Sequence, residues 1–161
     1  MASILKTDKI EGVTASGTVQ MPAGHIIQVV TAVDDGSQST TSQTLVDTGL
    51  TLDITPKFQN SKMQIFANMY ECYSADANSS VQISLRRVVG GTDTELGDHD
   101  SATLGYSRTQ AYDNIAVQHL DTPNTTSTIT YKVQCKSSSG HIIYVNGDNT
   151  QTQLCVMEIA Q

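Results

Sequence analysis

The feature that most constrains the fold is an alternation of apolar and polar residues with a period of two. It is cleanest where Ile129, Tyr131, Val133 and Cys135 alternate with Thr130, Lys132, Gln134 and Lys136. Side chains on a pleated strand point to opposite faces in turn, so this pattern predicts a strand with one face buried. The pattern recurs at Leu50, Leu52 and Ile54, at Met63, Ile65, Ala67 and Met69, at Val81, Ile83 and Leu85, and at Ile115 and Val117. Residues 25–33 read as a further strand stopped by Asp34-Asp35-Gly36, and residues 92–96 as the hairpin partner of the strand ending at Gly90-Gly91. No apolar stripe at helical spacing extends beyond two turns. About eight to ten short strands separated by turn signals predict an all-β chain, a jelly-roll-type antiparallel β-sandwich.

Two stretches depart from this pattern. Residues 152–160 are apolar on both faces, through Leu154 and Val156 on one side and Cys155, Met157 and Ile159 on the other. That predicts a strand buried on both sides. Residues 1–23 carry Ile4, Leu5, Ile10 and Val13 among Lys, Asp, Gly and Thr with no clear periodicity. They read as an extended N-terminal arm that cannot bury itself alone, followed by a sandwich domain over 24–161. The arm is the free segment by which such a domain can attach to something larger, with Ile4, Leu5, Ile10 and Val13 as its docking residues.

Composition narrows the functional classes. The chain has 161 residues, enough for one core, with a net charge of −7 and only 16% charged residues. Nucleic-acid binders carry a basic footprint, so no nucleic-acid partner is expected. The same charge disfavours docking on an anionic membrane, and no apolar run is long enough to insert in one. Cys72, Cys135 and Cys155 lie within apolar runs and form no CxxC pair, so they read as buried thiols. The start of the chain lacks the apolar core of a secretory signal, which points to synthesis in the cytoplasm.

Motifs for chemistry are sparse. His25, His99, His119 and His141 are scattered, and Asp34-Asp35-Gly36 and Asn146-Gly147-Asp148-Asn149 lack the spacing of a calcium loop. Turn chemistry explains both. No nucleophile elbow is present, and pairs such as Glu71 with Asp76 or Glu95 with Asp98 are what any acidic chain supplies. No cofactor, metal or catalytic residue is expected. The aromatic residues stand out instead, being only 5% of the chain with no Trp. Phe66 and Tyr70 share the more polar face of their strand with Cys72, and Tyr112 lies on the less apolar face of its own. Large aromatics on a half-polar face suit a subunit interface. The stretch 97–107, with His99, Asp100, Tyr106 and nearby Arg108, reads as a loop and a candidate glycan-binding site.

The opening Ser3-Ile4-Leu5-Lys6-Thr7-Asp8-Lys9-Ile10, the run from Gly17 through Met21-Pro22-Ala23-Gly24-His25 to Val30, and the ending Val156-Met157-Glu158-Ile159-Ala160-Gln161 resemble small structural proteins of marine and freshwater tailed phages, including cyanophages. The Asp121-Thr122-Pro123 loop before Thr130-Tyr131-Lys132-Val133 fits the same pattern. The resemblance runs from end to end through short motifs. It implies a compact β-sandwich similar in kind to the trimeric heads of tumour-necrosis-factor and complement C1q domains, and no catalytic residue. The expectation is a homotrimer on the virion exterior, fibre-like or a capsid decoration, contacting other virion proteins and host surface glycans. A lectin-like carbohydrate-binding module is the more distant alternative.

Overall fold

The computed structural model describes residues 22–96, 105–108, 112–147 and 150–161, with backbone only for 105–108. Ile4, Leu5, Ile10, Val13, His99 and Asp100 lie outside the described residues. Within these bounds the chain forms eleven strands: β1 (Ile26–Asp34), β2 (Gln38–Thr40), β3 (Val46–Ile54), β4 (Lys62–Ser74), β5 (Ser80–Val89), β6 (Thr92–Leu96), β7 (Gly105–Arg108), β8 (Asp113–Asp121), β9 (Ile129–Ser137), β10 (Ile143–Val145) and β11 (Thr152–Ile159).

The strands make two antiparallel sheets. In the first, β11 runs between β1 and β4, β8 pairs with β4, β10 pairs with the far end of β4, and β2 pairs with β10. In the second, β9 runs between β3 and β5, and β5 also pairs with β6 and β7. Each sheet turns one apolar face inward, where Leu50, Met63, Ile65, Ile83, Tyr131 and Leu154 are fully enclosed. This is the expected all-β sandwich, in the jelly-roll style, held by the interdigitation of two apolar faces.

Four expectations need correction. Tyr106 and Arg108 belong to a strand, β7, and not to a loop; its backbone pairs with Ser80–Ile83. Cys72 does not share a face with Phe66 and Tyr70. The ladder between β4 and β8 shifts register between Met69 and Cys72, and Glu71 there adopts φ 49°. One extra residue reverses the alternation, so Cys72 turns into the core and Tyr73 turns out. β11 is not buried on both sides: its inner residues Leu154 and Val156 are enclosed, but Cys155, Met157 and Ile159 on the outer face are only half-buried. Of the three thiols, therefore, Cys72 and Cys135 are buried and Cys155 is not.

Two buried polar groups tie the layers together. Asp121 of β8, in the first sheet, accepts hydrogen bonds from the Tyr131 hydroxyl (2.7 Å) and from Arg87 (2.6 Å), both in the second. Burial, then the adjoining Asp121 carboxylate, pushes the Tyr131 hydroxyl far above its ordinary range, so it remains the donor. Glu158, fully enclosed on β11, accepts from the main-chain N–H groups of Lys57 and Phe58 and from the Gln28 amide at 2.6 Å. It fastens β1 and the turn before β4 to the strand between them.

Candidate functional site

The outer faces of the two sheets differ in chemistry. On the second sheet, Arg86 pairs with Asp93 (2.9 Å) and Glu95 (3.0 Å), and Lys132 bridges Asp47 (3.2 Å) and Asp93 (3.1 Å). Burial alone would raise the Asp93 carboxyl, but the hydrogen bonds and charges of Arg86 and Lys132 together outweigh it and hold the group below its usual value. Charges of both signs in a lattice of ion pairs are what water solvates well. A small cleft of about 170 Å³ opens beside Gly49, between Asp47 and Lys132. It is well short of the roughly 300 Å³ at which small-molecule pockets begin.

The first sheet presents a different surface. Its register aligns three outward rows across β1, β11, β4 and β8: Val29, Met157, Gln64 and Leu120; then Thr31, Cys155, Phe66 and Gln118; then Val33, Gln153, Asn68 and Ala116. None of these twelve carries a charge. Lys62 and Glu71 stand at the two ends of the stretch of β4 involved. Val29 is 51% exposed, Val33 59% and Leu120 49%. Among the described residues, every large hydrophobic side chain that is well exposed lies in or beside a strand of this sheet. Depletion of charge together with exposed apolar side chains marks the core of a protein–protein interface, and a water-facing sheet rarely shows it.

Beyond the Glu71 bulge the same sheet carries an aromatic row. Tyr73 stacks on Tyr144 with ring centres 4.6 Å apart, and Tyr112 meets Tyr73 edge-on at 4.9 Å. Tyr112 precedes β8 and is 60% exposed. The bulge is what permits this row, because Tyr70 and Tyr73 then both point outward although three positions apart. Phe66, Tyr70 and Tyr112 thus lie along one sheet and on its outer side. Met157, Val29 and Leu120 belong with them but were not singled out from the sequence. The signal that points to them is the doubly apolar pattern of β11, whose second face has no cover within the described residues.

Among the described residues, no group of three or more His, Cys, Asp or Glu side chains is placed to hold a metal ion, and no helix is long and apolar enough to cross a membrane.

Neither a protein-family model nor a curated protein sequence matches the chain. Solved structures do match in fold. The capsid protein VP2 of infectious bursal disease virus, in a subviral particle, aligns with a TM-score of 0.53 at 11% identity over 83% of this chain and 32% of that one. The Gx strain of the same virus aligns at 0.53 and 10% identity over 99% of this chain and 36% of the other. A T13 particle of that virus aligns at 0.52 and 12% identity, again over 99% of this chain and 40% of the other. The chain therefore spans roughly a third to two-fifths of the length of the proteins it matches. At such identities the likeness is one of fold: this sandwich is built like a domain found in viral capsid proteins.

Proposed function

We propose that the protein is a non-enzymatic structural protein on the outside of a virus particle, a tailed bacteriophage, where it forms a trimeric fibre-like or adhesion head held by the arm over residues 1–23. The observation that carries this reading is the uncharged outer face of the first sheet, with Val29, Val33 and Leu120 about half exposed in a chain whose other sheet face is covered with ion pairs. A surface of that kind is made to be covered, and assembly into a particle is one way to cover it. The fold shared with capsid proteins of a virus agrees with a virion setting, as do the phage-like ends of the sequence.

A second reading within the same setting, a capsid decoration or cement protein stabilising the head, is favoured by the likeness in fold to the VP2 protein of a subviral particle. Gold-labelled antibody staining of the parent particles decides between them. Label at the tail supports the fibre head, label over the capsid supports decoration, and particles without label overturn the virion reading. The same assay on a chain lacking residues 1–20 checks the arm, whose loss should abolish labelling while the truncated protein stays folded. Breakdown of the host's surface polysaccharide by the purified protein would overturn the non-enzymatic assignment.

A further inference from the structure

We infer that the free edge of β1 is the docking site of residues 13–21 of the same chain, which pair with it as a further strand in a hairpin, so that the part of the arm left to reach a partner departs beside Asp34 and not beside Pro22. This goes beyond the particle reading and does not depend on it.

A free sheet edge is a row of unpaired N–H and C=O groups, which proteins guard with charge, proline, bulges or shortness. Among the described residues six strands pair on one side only. Five of them are guarded. β2 and β7 are three and four residues long. β3 carries Asp47 and Asp53 and shifts register between Asp47 and Thr51. β6 carries Asp93 and Glu95, and β8 carries Asp113 and Asp121. β1 is the exception. From Gln28 to Val33 it has no charge, proline or glycine, and it pairs with β11 in unbroken register. Such an edge is open to another strand.

The turn before β1 brings that strand. The Pro22 carbonyl accepts from the His25 N–H at 3.2 Å, and Gly24 has φ 88°, as the third position of a type II turn requires. Pro22 has no N–H to return, and the His25 carbonyl is taken by the N–H of Ala160 at 2.8 Å. The turn reverses the chain, so the residues before Pro22 run back along β1. β11 already fills one flank of β1. The place left for them in the sheet is the other flank.

Length and pattern agree. The arm as a whole has no period, but the stretch Val13-Thr14-Ala15-Ser16-Gly17-Thr18-Val19-Gln20-Met21 alternates apolar or small residues with polar ones, over nine positions against the nine of β1. Closing the hairpin on Pro22 and His25 sets Thr18 opposite Val29, Gly17 opposite Val30 and Ala15 opposite Ala32. Directly opposed residues share a face of the sheet. Val30 and Ala32 are partly buried against the core, whereas Val29, Thr31 and Val33 are exposed on the outer face. Ala15, Gly17 and Val19 therefore turn inward and extend the apolar face at the open margin of the sandwich, while Thr14, Ser16 and Thr18 turn to water. A slip of one residue would expose the apolar row and bury the polar one. Val13 then belongs to the strand, leaving Ile4, Leu5 and Ile10 to dock.

Hydrogen exchange of the full wild-type chain tests this without any substitution. Amides within residues 14–20 should exchange about tenfold more slowly than those within 2–10, in the alternating pattern of an edge strand. Equally fast exchange through both stretches overturns the inference. Paired cysteines, in a Cys155→Ser background, then test partner and register. Thr18→Cys with Val29→Cys should close a disulfide within one chain on mild oxidation. Gly17→Cys with Val29→Cys, which places one sulfur on the opposite face, should stay reduced. A disulfide joining two chains makes the occupant the arm of a second copy and overturns the hairpin. Closure of the Gly17 pair instead, or of neither pair, overturns the register on which the argument stands. Particles without antibody label would sink the virion reading and leave this strand in place; fast exchange through 14–20 in a protein that labels particles would do the reverse.

Discussion

At the scale of single residues, the polar groups inside the sandwich are its most exacting feature. Glu158 is fully enclosed and takes two main-chain donors on one oxygen, from Lys57 at 2.8 Å and Phe58 at 3.3 Å. Both hydrogen bonds are part-buried, and both N–H groups lose their acceptor if that oxygen is removed. Replacing Glu158 by Ala removes the acceptor and opens a cavity, so chemical denaturation should show a loss of about 2–3 kcal/mol. Sequence periodicity does place Glu158 on the same face as Leu154 and Val156, but a rule that turns charged residues outward hides it. The donors that make its burial tolerable come from a turn a hundred positions earlier in the chain, and no local pattern records that pairing. The same holds for Asp121, whose partners Arg87 and Tyr131 lie in the opposite sheet. Period-two alternation shows which way Tyr131 points and is silent on what its hydroxyl meets.

At the scale of elements, strands with clean alternation were legible: β9, the inner faces of β3 and β5, and the β5–β6 hairpin all lie where period and turn chemistry put them. Strands that lack apolar content were not. β2, Gln38–Thr40, sits in a run of Ser, Thr and Gln and owes its form to backbone pairing with β10 rather than to its side chains. The Glu71 bulge was equally hidden, because an alternation continued past it gives a consistent but reversed assignment of Cys72 and Tyr73. The turn after β10 locks this bulge: the N–H groups of Asn146 and Gly147 donate to the carbonyls of Tyr70 and Glu71. A Cβ added to Gly147 would lie 2.8 Å from a Tyr73 ring carbon. That ring is held between Tyr144 and Tyr112 and has little freedom to give way. Gly147→Ala should therefore cost about 1–3 kcal/mol through overpacking, read as a lowered melting temperature with a perturbed tyrosine near-UV signal.

At the scale of the whole molecule, the two outer faces set its behaviour. The sandwich class was legible because every strand reports its own inner face. The division of labour between the faces was not, since it emerges only when Val29, Met157, Gln64 and Leu120 are brought side by side from four separate segments. Cysteine chemistry offers a readout of that division. Burial pushes the Cys72 thiol up to about 12 and the Cys135 thiol up to about 11, so both should resist a thiol reagent until the protein unfolds. Cys155, whose thiol burial raises to a smaller degree, lies between Thr31 and Phe66 on the uncharged face. It should label in the native monomer and slow markedly where assembly covers this face. Equal labelling of assembled and dissociated protein would show that this face stays open.

The place of β11 also has a consequence for how the protein comes into being. It is the last of the described strands, yet it separates β1 from β4, and its inner face carries Glu158, on which the turn at Lys57 depends. During synthesis β1 emerges first of these strands and has no edge among them to join until about 120 further residues have left the ribosome. The first sheet is therefore completed only once β11 has emerged, with the apolar face of β1 waiting meanwhile in the company of neighbouring nascent chains. A stop codon that removes β11 would leave a gap in the middle of the sheet instead of trimming its border.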